Sequence, residues 1–100
     1  MQVSVKTTPE QCEFFIKGDF TAQEEDRFFG VFVQIRSITE QKLAFNLSQC
    51  TFIDSAAMGM LVVAAEEAAK RNVSRFIRQV SPELKKLLLS AGFEKFYAFQ

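Results

Sequence analysis

No histidine occurs in the 100 residues of this chain. That closes every mechanism with a histidine base, the Ser-His-Asp triad and its Cys-His relatives among them. It also closes zinc sites built on imidazole. The two cysteines, Cys12 and Cys50, stand 38 positions apart, which is no zinc-finger spacing. Both sit in apolar, strand-like surroundings and read as reduced, buried thiols. Neither charge sign prevails: twelve Lys+Arg balance twelve Asp+Glu. The first half carries five basic and seven acidic groups, the second half seven and five. Such a chain has no strong basic field for nucleic acid, and no polybasic run for an anionic membrane. The longest apolar run, Ala56 to Ala65, has ten residues. A membrane span needs about twenty. No signal peptide is read at the start, where Val3 and Val5 alternate with Ser4 and Lys6. The expected protein is soluble and cytoplasmic.

Prolines number two and glycines four, so little interrupts the elements. No linker, repeat or low-complexity segment divides the chain, and residues 1–100 read as one domain. Apolar residues make up 48%, enough for a core without metal or disulfide staples.

The pattern predicts a short strand at Val3–Thr7, a turn at Thr8-Pro9-Glu10-Gln11, and a second strand at Cys12–Lys17 ended by Gly18-Asp19. Together they form a hairpin. Thr21-Ala22-Gln23-Glu24 reads as a capping box, with the Thr21 hydroxyl taking the Glu24 amide and the Glu24 side chain reaching back. Phe28, Val31, Phe32 and Ile35 then mark the buried stripe of a helix from Ala22 to Arg36. Leu43–Leu47 is a strand buried on both faces. Ser48–Thr51 reads as a loop, and Asp54-Ser55 as a helix start. Good helix formers run from Ala56 to Arg71, with Asn72 as a left-handed cap. Val73–Val80 is a strand. Ser81-Pro82-Glu83 opens a helix whose stripe is Leu84, Leu87, Leu88 and Ala91, closed by Gly92. Phe96–Phe99 is a final short strand.

The class is therefore α/β: a mixed sheet of four to five strands with helices packed against it, in the order β-β-α-β-α-β-α-β. The Leu43–Leu47 and Val73–Val80 strands are joined through a helix and should be parallel. Phe28, Phe32, Phe45 and Phe76 are assigned to buried faces. Arg75, Arg78, Lys85 and Lys86 form a modest basic cluster, read as a solvated face. Glu66 and Glu67 are placed to pair with Lys70 and Arg71 on a helix surface.

Ser55 carries the most informative position. A serine at a helix N-terminus either caps the helix or can receive a phosphate, which the free amides and helix dipole would stabilise. Local logic leaves both open.

Leu43-Ala44-Phe45-Asn46-Leu47-Ser48, then Thr51-Phe52-Ile53-Asp54-Ser55 and Gly59, resembles the signature of STAS domains. Ser81-Pro82-Glu83-Leu84-Lys85-Lys86-Leu87-Leu88-Leu89-Ser90-Ala91-Gly92 is similar to the family's second pattern. The likeness covers essentially the whole chain. It implies a non-enzymatic bacterial regulator of the anti-sigma factor antagonist type, with no cofactor and no metal. Its partners would be an anti-sigma factor that is also a serine kinase and a PP2C-type phosphatase. Ser55 would be the phosphoacceptor, and phosphate would weaken partner binding. The implied contact surface is Asp19, Phe20 and Thr21 with Asp54, Ser55, Ala56 and Met58. Phe20 and Met58 would be apolar anchors if exposed. The implied state is a monomer or weak dimer. The chain departs from the family at Ala56, where Ser or Thr is common, at Ala57, at Asn46 in place of aspartate, and at Arg71-Asn72 in place of two glycines. Ala56 leaves room for an alternative, a constitutive subunit of a lipid-transport ATPase or signalling scaffold. An enzyme using Cys50 as nucleophile finds no visible base.

Overall fold

A computed structural model describes residues 1–100. β1 (Gln2–Thr7) and β2 (Gln11–Phe20) form the expected antiparallel hairpin. A short 3₁₀ turn leads into α1 (Glu25–Arg36). Then come β3 (Lys42–Ile53), α2 (Ser55–Ala69), β4 (Ser74–Arg78) and α3 (Pro82–Ser90). A second 3₁₀ turn precedes β5 (Ala98–Phe99). The five strands lie side by side in chain order, and every neighbouring pair after the first is parallel.

Chain order decides where the helices go. Each parallel connection passes through a helix, and such crossovers share one hand. A sheet that always steps in the same direction therefore collects its helices on one face. Phe28 of α1 stacks on Phe45 of β3 at 5.9 Å between ring centres. Tyr97, just ahead of β5, meets the same Phe45 at 6.0 Å and donates its hydroxyl to the Leu61 carbonyl of α2. Lys85 of α3 lies 5.8 Å over the ring of Phe99. Phe99 pairs with Ile77, so it shares the face of the core. The strand order never reverses, so the sheet lacks the crevice that doubly wound sheets open at their switch point.

Leu43–Leu47 is buried throughout, as its composition predicts. The two faces are closed by different means. Leu43, Phe45 and Leu47 point into the helices. Ala44 and Asn46 point the other way and are covered by neighbouring side chains. Asn46 Nδ2 donates to Glu13 Oε2 at 3.1 Å, and Arg78 pairs with the same carboxylate at 3.5 Å. Arg78 also lies over the Phe76 ring, 5.6 Å from its centre. Arg75, one strand position from the Phe76 ring, points to the opposite face, where it donates to the carbonyls of Val73 and Phe96. The expected basic cluster is thus split by the pleat.

Other expectations are corrected by tertiary pairing. β2 does not end at Gly18-Asp19 but continues to Phe20, bent by an irregularity where Gly18 takes φ +92. Ser48–Thr51 is strand, not loop, because the prolonged β2 supplies its partners. The capping box is not formed. The Thr21 hydroxyl accepts from Gln23 N, and Glu24 instead meets the chain's N-terminal ammonium at 3.2 Å. On α3 only Leu88 is fully buried, while Leu87 and Ala91 are exposed. That helix lies beside a two-residue edge strand, which offers a narrow surface to cover. Phe32 and Phe76 are half-buried rather than core. Asn72 does adopt the left-handed conformation, at φ 59. On α2, Glu67 pairs with both Lys70 and Arg71.

Both cysteines are free and buried. Burial, then the charge of Glu40, pushes the Cys12 thiol from 9.0 up to about 11. Burial also raises Cys50 and the Tyr97 hydroxyl. Each group stays neutral in the fold at a pH where the unfolded chain has begun to ionise. The contribution of Cys12 is whole below about pH 9 and is lost as pH climbs toward about 11. Urea midpoints measured across that range should fall with rising pH, and Cys12→Ala should flatten part of the slope. Phe45→Ala should cost about 3–5 kcal/mol in the same assay. Phe52→Ala, at a half-exposed side chain, should stay within about 0.5 kcal/mol of wild type.

Candidate functional site

β2 and β3 run parallel and end together, with Phe20 opposite Ile53. The turn into α1 therefore lies against the turn into α2. Three bonds tie the two turns, and a fourth caps α2. The Asp54 amide donates to the Phe20 carbonyl at 3.2 Å. Asp54 Oδ1 accepts from Ala57 N at 2.8 Å, which caps α2. Asp54 Oδ2 accepts from Ala22 N at 3.0 Å, at the start of the 3₁₀ turn. The Thr51 hydroxyl donates to Asp19 Oδ1 at 2.7 Å. One carboxylate thus holds the heads of two helical segments in fixed relation.

That assignment separates the two readings of Ser55. Asp54 is the cap, and Ser55 is the first helical residue, exposed and free of capping duty. An α-helix leaves its first four amides unpaired internally. Here that of Asp54 goes to the Phe20 carbonyl and that of Ala57 to the Asp54 side chain. Those of Ser55 and Ala56 remain at the positive end of the dipole.

The structure brings the sequence-designated residues to one end of the molecule, at different depths. Asp19, Ser55 and Ala56 are exposed, and Thr21, Asp54 and Met58 are half-buried. Phe20 is corrected: it is fully buried, with its ring 4.9 Å from that of Phe28. It cannot serve as an exposed anchor, and its role is to pin the loop to the core. Phe52 was missed. It is 50% exposed and pairs in register with Asp19. The register shift between Gly18 and Asp19 breaks the alternation after buried Cys50, so Thr51 and Phe52 both face outward and no local pattern gave the signal.

A family model described as STAS domain matches residues 2–100. The chain belongs to the STAS-domain family. A STAS-domain containing protein of Pseudomonas aeruginosa is 30% identical over 86 residues, covering 79% of this chain and 85% of that one. Among solved structures, the anti-sigma factor antagonist SpoIIAA in its unphosphorylated form is similar with a TM-score of 0.82. The identity is 15%, over 99% of this chain and 88% of that one, so the likeness is one of fold. A sulfate transporter family protein from Wolinella succinogenes is 26% identical over 87% of this STAS chain and 74% of its own, with a TM-score of 0.72. STAS relatives in two settings, antagonists and transporters, therefore share this architecture.

Removing the shared cap should be felt on both turns. Asp54→Ala should lower stability by about 1–2 kcal/mol in urea unfolding. Ser55→Ala should leave it within about 0.5 kcal/mol of wild type.

Proposed function

We propose that this STAS domain is a non-enzymatic partner switch of the anti-sigma factor antagonist type. A regulatory serine kinase or anti-sigma factor binds the surface formed by Asp19, Thr21, Asp54, Ser55, Ala56 and Met58. Phosphate on Ser55 weakens that contact, and a PP2C-type phosphatase restores it. The observation that carries this reading is the exposed Ser55 hydroxyl at the head of α2, released from capping by Asp54.

The physics at that point favours a switch over a disruption. A phosphate brings about −1.5 to −2 charges. The helix dipole and the amides of Ser55 and Ala56 favour such charge where it stands. The fold therefore tolerates the modification. A partner surface fitted to a small neutral hydroxyl does not, because it must desolvate the new charge beside the Asp54 carboxylate. SpoIIAA, of similar fold, has a structure in a phosphorylated form, which makes such a state compatible with this architecture.

Ala56 favours a second reading. It fills the position where the family commonly carries a hydroxyl, as in a subunit held constitutively by a lipid-transport ATPase or scaffold. Intact-mass analysis of the protein from its native cells, set beside Ser55→Ala, separates the two. The switch expects a fraction heavier by one phosphate that vanishes in the variant. It also expects Ser55→Asp to weaken partner binding at least about tenfold while Ser55→Ala keeps it. Equal binding by all three forms, with no modified fraction, overturns the switch in favour of the constitutive subunit.

A further inference from the structure

β1 is a free edge of the sheet. It pairs with β2 alone, in continuous register from Gln2 to Thr7. Bonded and non-bonded pairs alternate along an antiparallel ladder. Thr8 and Gln11 exchange both bonds at the turn, at 2.8 and 3.4 Å. Counting back from that pair, Lys6, Ser4 and Gln2 bond to β2. Val3, Val5 and Thr7 turn their amides and carbonyls outward, where nothing in the fold meets them. Folds commonly blunt such an edge with a short strand, a proline, a bulge or a covering loop. The opposite edge obeys, since β5 has only two residues. β1 has six, with no proline and no bulge.

The strand is flanked by two hollows. One, of about 440 Å³, separates it from α1, with Val3 and Val5 on one side and Val31 and Gln34 on the other. Gly30 lies along it, and a Cβ added there meets nothing. Glycine is less stable than alanine within a helix, and no turn or close contact in this fold requires it at that position. The other hollow, of about 460 Å³, lies against Ser4, Phe15 and Lys17. Arg27 lines both, and no carboxylate lines either.

The cations here are under-matched. Lys6 and Lys17 stand on the helix-free side with no acidic partner, because Glu13, opposite Lys6, is engaged by Arg78 and Asn46. Arg27 reaches Glu24 only at 3.7 Å, and the N-terminal ammonium shares that carboxylate.

These features select the occupant. A row of alternating main-chain donors and acceptors is matched by the extended backbone of another polypeptide. The hollow beside α1 takes small apolar side chains, and the cations across the strand take carboxylates. We propose that β1 receives, as a sixth strand, an extended segment of another protein in which small apolar residues alternate with acidic ones. The segment runs antiparallel, the more stable pairing, with its apolar side chains toward Gly30 and its acidic ones toward Lys6 and Lys17. The inference rests on neither Ser55 nor the switch proposed above, and its test involves neither.

The probe is the end-capped, fluorescein-labelled peptide Val-Glu-Val-Glu-Val-Glu-Val, titrated with the 100-residue chain and followed by anisotropy. Saturable binding with a dissociation constant of about 100 micromolar is expected. Val5→Pro removes an outward amide and spares the ladder to β2, so it should weaken binding about tenfold or more. Gly30→Gln should weaken it as much while raising the melting temperature, since glutamine is the better helix former. Lys17→Glu with Arg27→Glu should lose this peptide and gain its counterpart with lysine in place of glutamate. In antiparallel pairing the bonds to Val3, Val5 and Thr7 come from peptide residues on the same face, the valines. N-methylation of the valine amides should therefore abolish binding, and N-methylation of the glutamate amides should leave it. Circular dichroism establishes that each variant is folded. No saturable binding up to about one millimolar, or equal binding by the two N-methylated peptides, overturns the proposal. A chain that pairs with itself without peptide, and ceases to do so as Val5→Pro, gives the edge to a second copy and overturns it too.

Discussion

The ring of Phe45 stands on the central strand and touches three others, those of Phe14, Phe28 and Tyr97. Phe14 belongs to the neighbouring strand, Phe28 to α1, and Tyr97 to the turn before the last strand. Through Phe28 the chain of rings reaches Phe20 at the end of β2. Offset and edge-on pairs of this kind add about 0.5–1.5 kcal/mol each beyond the area they bury. More telling is their placement. The sheet winds in one direction and has its helices on one side, so there is one buried layer to hold everything. Phe45 is its centre, and the end of β2 bearing Asp19, with Thr21 beyond it, is anchored to it at two removes.

Asp54 works at the other scale. Its two carboxylate oxygens are divided between two helical heads that are far apart in sequence. Asparagine has one acceptor oxygen on its side chain and cannot serve both in the same way. Because the aspartate does the capping, the adjacent serine is left to face solvent. A structural duty on one residue thus frees a chemical opportunity on the next.

Much of this was legible in the chain. The hairpin, the three helices, the parallel central strands and the family motif all follow from periodicity, caps and quoted residues. What escaped was set by partners distant in sequence. Gln49 and Cys50 fall in a polar stretch that looks like loop, yet they are strand because Lys17 and Gly18 lie alongside. Thr21 and Glu24 have the spacing of a capping box, yet Glu24 is drawn to the N-terminal ammonium and Arg27 instead. Phe20 follows a strand and sits beside the motif surface in space, but only the ring of Phe28 reveals that it points inward. Leu87 keeps helical spacing with Leu84 and Ala91, but spacing alone does not tell how wide the opposing surface is. Local pattern names the element, and the breadth of its buried stripe is fixed by what it meets.

The polar row on the helix-free face has a consequence for how the sheet finds its pairing. Glu13, Asn46 and Arg78 sit on three successive strands and meet only when those strands are in native alignment. Sliding β3 by one residue would turn Leu43 and Phe45 outward. It would also strand a carboxylate and a guanidinium on a half-covered surface without each other. Mispairing is penalised on both sides of the sheet at once, by exposed oil on one and by orphaned charge on the other. The row thus proofreads assembly, refusing alignments that hydrophobic collapse alone would tolerate.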